Sequence, residues 1–275
     1  MSPFLAFLSA VSWGTADFLG GIATRKSGRV LSIVILSQLA GLTLLLTALV
    51  ISGGDLVERD IGSAAAAGLF GAGGLILLYR GLAVGTMSVV APISAIMTAV
   101  VPVTWGLITG ERPSAVATIG IPVAIVAIAL VSGARVRGFQ PGPGVSEGLG
   151  AGIGFGSFFI LIANTASAEL WTLTFARTAS ITVLLAVAVI RRAPLRPGPG
   201  LAWLIIGAGT IDTTANLLFL LAERRGLLTL VSVIAALYPA STVVLARLVL
   251  QERMARAQWI GLGLAALSVG LISAG

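Results

Sequence analysis

Residues 88–134 lie over residues 229–275 at a constant offset of 141 with no gap, so the second half of this chain repeats the first. Thirteen of those 47 columns are identical, among them Glu111/Glu252, Arg112/Arg253, Ile119/Ile260 and Gly120/Gly261; shuffled residues of the same composition would agree in roughly five. A chain of this kind folds as two copies of one unit, each burying a face against the other.

Hydropathy says what the unit is. Of the 275 residues 57% are hydrophobic and 10% charged, with a mean hydropathy of +1.07, whereas a soluble domain carries about 25% charged residues. Apolar runs of about 20 residues, long enough to cross a hydrocarbon layer, recur between short polar breaks. Ten are expected, near 3–23, 30–51, 61–83, 88–109, 113–134, 147–166, 170–190, 200–222, 229–250 and 255–273. Gly71, Gly73, Gly74, Pro92, Pro102 and Pro122 lie inside them, which membrane helices tolerate because neighbouring helices re-satisfy freed backbone groups. Nothing basic precedes the first run, and Arg25, Lys26 and Arg29 follow it, so it reads as a retained helix and not a cleaved leader.

Five crossings per copy is an odd number, so the second copy enters the membrane from the opposite face. The expected fold is therefore an all-α membrane protein of ten transmembrane helices in two inverted five-helix repeats. The first repeat spans 1–134, a turn-rich linker covers 135–146 with Gln140-Pro141-Gly142-Pro143-Gly144 inside it, and the second repeat spans 147–275. Threading ten crossings puts twelve of the 17 basic residues on the side opposite the termini and five with them, Arg177 only loosely assigned to the five. Because Lys and Arg are retained in the cytoplasm, both termini are expected on the non-cytoplasmic side of a cell (inner) membrane. The pI of about 11.4 then reflects orientation signals and lipid headgroup contacts, scattered rather than striped, and calls for no nucleic acid.

The chain has no cysteine and no histidine, which removes disulfides, thiolate chemistry, His-ligated metals and serine catalysis with a His base. No P-loop is present. No metal and no cofactor are expected. An aspartyl intramembrane protease would have Asp17 and Asp212 available, but Gly209-Thr210-Ile211-Asp212 is one Gly short of that motif.

The stretch Tyr238-Pro239, then Glu252, then Ala257-Gln258-Trp259-Ile260-Gly261 and Leu264-Ala265-Ala266-Leu267-Ser268-Val269-Gly270 resembles the EamA-type transporters of the drug/metabolite transporter superfamily. Pro239, Glu252 and Gly261 match the family pattern in the second half. Glu111 and Gly120 match it in the first, where Thr98 stands in place of the Pro. Trp13-Gly14 resembles the first-helix motif and is echoed by Phe155-Gly156. The resemblance implies ten helices in inverted repeats and export of small metabolites, with amino-acid exporters of the YddG kind the nearest branch. Many family members have cytoplasmic termini, which the basic residues of this chain oppose.

Polar groups in mid-helix cost about 2.5–3.5 kcal/mol each by insertion scales, so they face a cavity or a partner. Asp17 lies one turn after Trp13, and the i, i+4, i+7 series Asp212, Asn216, Phe219 shares one face of the eighth helix. An acid, an amide and a ring on one stripe suit an amphipathic zwitterion; the plain alternative is hydrogen bonding between helices. Asp17 has the alternative of neutralising Arg25, Lys26 or Arg177. Tyr79 and Tyr238 are the only tyrosines, and Met97 is the repeat partner of Tyr238. The expected substrate-binding set is Trp13, Asp17, Tyr79, Met97, Asp212, Asn216, Phe219 and Tyr238, with plain helix packing or interfacial anchoring the alternative for each tyrosine. Glu111 and Glu252 each end a helix beside an Arg, where helix-end solvation or pairing accounts for them. Gly68, Gly71 and Gly74, with Ala91, Ala95 and Ala99, read as surfaces of close helix approach.

These features point to a non-enzymatic secondary transporter that exports small amphipathic solutes, amino acids first, by alternating access. A multidrug exporter of lipophilic cations and a non-transporting assembly or lipid-flipping subunit are the alternatives. Solute and membrane lipid are the expected partners, and ten helices suffice for a pathway in one subunit, so a monomer is expected.

Overall fold

The computed structural model describes all residues except 85–86, 133–143 and 252, and gives only the backbone of Tyr79, Leu82, Ala83, Met87 and Ser88. All regular structure among the described residues is helical. The helices are α1 (Ser2–Ser27), α2 (Val30–Ser52), α3 (Asp60–Val84), α4 (Met87–Ile108), α5 (Ala115–Val131), α6 (Val145–Ala163), α7 (Glu169–Ile190), α8 (Ala202–Glu223), α9 (Leu228–Ala235), α10 (Tyr238–Val249) and α11 (Arg256–Ala274). Nine stretches are long and apolar enough to cross a membrane, α9 and α10 together forming one of them, and the 17-residue α5 is a shorter apolar helix. With α5 counted, the ten expected crossings are all present, while Glu252 and most of the linker expected at 135–146 lie outside the described residues.

Local chemistry sets several ends. Gly28 takes a left-handed φ of 64° to stop α1. Ser114 caps α5 by accepting from Ala117 N at 3.1 Å, and the Gln258 side chain reaches back to Ala255 N at 2.9 Å to start α11. The ninth span departs from the sequence expectation of one helix over 229–250. It turns at Ala236 and Leu237 and restarts at Tyr238, because Pro239 has no N–H to continue α9 but fits the first turn of a new helix. In the first repeat Thr98 occupies that register, donates its hydroxyl to Ser94 O at 2.8 Å, and leaves α4 continuous.

Packing exchanges under the repeat. A Cβ at Gly120 on α5 would lie 2.7 Å from Ile272 on α11, and a Cβ at Gly261 on α11 would lie 2.8 Å from Val131 on α5. Adding 141 to Gly120 and Val131 gives Gly261 and Ile272, so each half makes the other's contact. Gly68 on α3 meets Ala176 O on α7 in the same way that its partner Gly209 on α8 meets Ser37 O on α2. Gly14 on α1 packs against Thr242 on α10, and Gly156 on α6 packs against Val101 on α4. Reciprocal contacts of this kind require a twofold relation, and five crossings per half place its axis in the membrane plane.

Both termini fall on one face, with the loops at 53–59, 109–114, 164–168 and 224–227; the loops at 28–29 and 191–201, and residues 250–251 and 253–255, fall on the other. Arg177, loosely counted with the terminus face from sequence, is buried in the middle of α7, which leaves four basic residues on that face. Reporter domains fused at Ser2 and at Gly275 are expected to be accessible from the same side of the membrane. Signals from opposite sides would mean an odd number of crossings and would dismantle the inverted duplication.

Candidate functional site

Three rings from three helices stack in the core. Trp13 on α1 stacks on Phe159 of α6 at 5.2 Å between centroids, Phe159 stacks on Phe219 of α8 at 4.3 Å, and Trp13 and Phe219 sit 5.8 Å apart. Phe159 and Phe219 are buried and Trp13 half-buried. Phe159 is absent from the site expected on sequence, although the repeat carries a signal for it. The offset that lays Phe155-Gly156 on Trp13-Gly14 also lays Phe159 on Asp17, so the second half has a ring where the first has an acid.

One helical turn from Trp13 toward the basic face, Asp17 is exposed. It makes no hydrogen bond or ion pair with the described residues, and it lies near the Asp212 carboxylate on α8 and the neutral Tyr238 phenol on α10. Those flanking positions put it inside the bundle, so its exposure is to open space between helices. The helices around it are tightly tied. Ser9 Oγ donates to Ala215 O at 2.8 Å, Ser241 Oγ to Ala10 O at 3.1 Å, and Thr242 Oγ1 to Gly14 O at 3.1 Å.

Asp212 is differently placed. Arg177, buried on α7, donates through Nη2 to Asp212 Oδ2 at 2.6 Å and through Nη1 to Gln38 Oε1 on α2 at 2.6 Å. Asp212 remains partly exposed, at 35% of its side chain against 7% for Arg177. Asn216 turns back on its own helix and donates to Asp212 O at 2.7 Å. Sequence alone offers Arg177 as a partner for Asp17; the structure gives it to Asp212. Of the expected site residues, Trp13 and Phe219 therefore share the stack, and Asp17, Asp212 and Tyr238 share the space beside it. Met97 instead packs its Cβ where Gly152 of α6 leaves room, and the side chain of Tyr79 lies outside the described residues.

The two ends of this space differ. On the terminus face every residue of α9 except Leu230 is buried, whereas α10, on the basic-face side of the break, has no buried residue. Polar ties close the terminus face. Glu111 accepts from Leu228 N and Thr229 N at 2.8 Å each and from the Thr229 hydroxyl, which fixes the start of α9. Asp60 accepts from Ala166 N at 2.7 Å and from Ser167 N at 2.6 Å, and Arg224 binds Ser167 O and pairs with Glu169 at 2.8 Å. The arrangement is an acid-lined space with half-buried Trp13 at its inner edge, backed by the buried Phe159 and Phe219 and held shut beneath them. It can seat a small solute that has a ring or chain at one end and a positive group at the other.

Sequence comparison places the chain. The EamA-like transporter family model matches residues 1–133 and again 142–274. The chain belongs to that family. It is therefore a multi-pass membrane protein of a transporter family in the drug/metabolite superfamily, and the two matches are its two repeats. No curated protein sequence matches it. Among solved structures, one crystal structure of a protein superposes with a TM-score of 0.80 at 16% identity, covering 99% of this chain and 96% of that one, a likeness that speaks to the fold.

Proposed function

We propose that this EamA-family protein is a secondary transporter that exports small amphipathic metabolites bearing an amino group, amino acids first among them, by alternating access and without catalytic turnover. The observation that carries the reading is Asp17: a carboxylate in mid-span, unpaired among the described residues, facing open space beside stacked rings. A membrane protein keeps such a group where a solute or ion needs it. With the basic face in the cytoplasm and the termini outside, the open space faces the cytoplasm, the side from which an exporter loads. Exchanging the conformations of the two inverted halves closes that side and opens the other.

The Trp13 ring one turn from an acid also favours a second reading, export of lipophilic cations. Catalysis by a pair of aspartates fits poorly, because that chemistry needs two carboxylates sharing one proton and Asp212 is bound to Arg177. A single subunit contains the whole site, so a monomer is sufficient. The reading is tested by overexpressing the chain in cells challenged with toxic amino-acid analogues or with lipophilic cations, alongside Asp17→Asn. Tolerance of the analogues that Asp17→Asn abolishes supports amino-acid export, and tolerance of the cations alone replaces it with the second reading. No change in tolerance with a correctly inserted protein, and no flux in proteoliposomes, would overturn transport.

A further inference from the structure

The middle of the membrane holds three charges among the described residues: Asp17 on α1, Arg177 on α7 and Asp212 on α8. The guanidinium is fully engaged. It is buried, it bridges Asp212 and Gln38 at 2.6 Å each, and α2 closes over it at Gly41, where even a Cβ would come within 3.0 Å of Nη1. A solute carboxylate entering the space beside Asp17 therefore meets, among the described residues at that depth, no free cation but two acids. A solute ammonium meets Asp17, which has no partner among those residues, with Trp13 one turn away. With Asp17 and Asp212 ionised the centre sums to minus one, and in a low-dielectric interior a single positive charge completes it.

We propose that this site recognises one ammonium group, seated on Asp17 beside Trp13, which the buried Phe159 and Phe219 hold in place, and that Arg177 sets the count at one by cancelling Asp212. The substrate class is then the aromatic or aliphatic monoamine: amines, amino-acid amides and similar cations in preference to zwitterionic amino acids. The inference rests on the transporter reading and departs from its first solute, ranking monoamines above the amino acids. Arg177 acts through Asp212 and is a positioning residue; Asp17 is the group that touches the solute.

The test uses the purified full chain in proteoliposomes at neutral pH with four probes of one skeleton: 2-phenylethylamine, phenylalanine amide, phenylalanine and 3-phenylpropionate. The amine and the amide are expected to be carried about tenfold or more faster than phenylalanine at equal low concentration, with 3-phenylpropionate not carried, since an uncompensated charge at this range is worth at least that factor. Arg177→Gln leaves the centre at minus two and is expected to favour the dication p-xylylenediamine over 2-phenylethylamine. Arg177→Gln/Asp212→Asn restores minus one and with it the monoamine preference, although the ion pair is gone; a purely structural role for Arg177 predicts no such recovery. Arg177→Lys, which keeps the charge, is the variant to read if Arg177→Gln fails to insert, and it is expected to keep the parent's preference. Phenylalanine carried as fast as its amide by the parent, or a folded double variant that does not regain monoamine preference, overturns the proposal while leaving transport intact. Failure of the parent to carry any probe overturns the transporter reading and this inference with it.

Discussion

Alanine at Gly209 pries α2 from α8 and lowers the thermal stability of the protein steeply, while alanine at Gly73 raises it slightly. At Gly209 a Cβ would press directly on Ser37 O and sit 2.7 Å from Ser37 C. Both are backbone atoms, so no rotamer relieves the clash and the helices must separate. The same interface holds the Arg177 bridge to Gln38 and Asp212 and the contact of Gly41 with Thr213, all of which depend on that spacing. Overpacking a well-filled interior costs about 1–3 kcal/mol per added group, and a clash against rigid backbone belongs at the top of that range. A cost of about 3 kcal/mol corresponds to a fall in Tm of roughly 6–12 °C for a chain of this size. Gly68, the repeat partner, would press its Cβ on Ala176 O, 2.8 Å from the carbonyl carbon, and is expected to behave alike. Gly73 lies in the interior of α3 with nothing within 4 Å of a Cβ, so alanine there gains helix propensity of up to about 1 kcal/mol. Thermal unfolding in detergent of Gly209→Ala, Gly68→Ala and Gly73→Ala decides the matter, and equal melting temperatures for all three would refute close backbone approach as what these glycines provide.

The contrast between Gly68 and Gly73 shows where sequence is informative and where it stops. Spacing of small residues marks α3 as a packing helix, and apolar run length locates all ten crossings, because membrane thickness acts on each helix separately. Which glycine meets a partner depends on rotation about the helix axis, set by the other repeat and invisible in one helix alone. The break between α9 and α10 is half-legible: Pro239 is in view, but a lone Pro bends some membrane helices and ends others, and the surrounding backbone decides. At the site, mid-span cost singles out Asp17 and Asp212 but does not divide the arginine between them. Arg177 lies inside an apolar run and is only loosely assigned to the terminus side from sequence, since such a residue is either near an end or buried with a partner, and only tertiary structure distinguishes the two. Phe159 escapes notice for a simpler reason. A phenylalanine is ordinary in an apolar run, and its repeat relation to Asp17 stands out only once Trp13 is seen to stack on it.

Glu111 marks the second large effect. It ends the turn after α4 beside Arg112, and its carboxylate holds the first two backbone N–H groups of α9 with the Thr229 hydroxyl. Gly106, with no side chain, makes the room it occupies. Charge-assisted bonds to a helix start are worth about 1.5–3 kcal/mol each, and here they anchor the enclosed half of the broken span. Glu111→Ala should therefore loosen the seal on the terminus face. A loss of ~3 kcal/mol shifts the balance between closed and open forms of that face by a factor on the order of 100. Because the chain has no cysteine, a single one reports cleanly. Ser232, buried on α9, replaced by cysteine, is expected to resist a membrane-impermeant maleimide applied from the terminus face in the parent background and to react readily once Glu111→Ala is added. Glu111→Gln, which keeps an acceptor but loses the charge, falls between them. Arg224→Gln, which removes the pair with Glu169 and the bond to Ser167 O on the same face, is expected to give a smaller rise, since Arg224 is partly solvated and an exposed pair contributes about 1 kcal/mol or less. Identical labelling of the Ser232 cysteine with and without Glu111 would show that the cap does not hold this face shut, and the seal would then belong to the buried apolar surface of α9 alone.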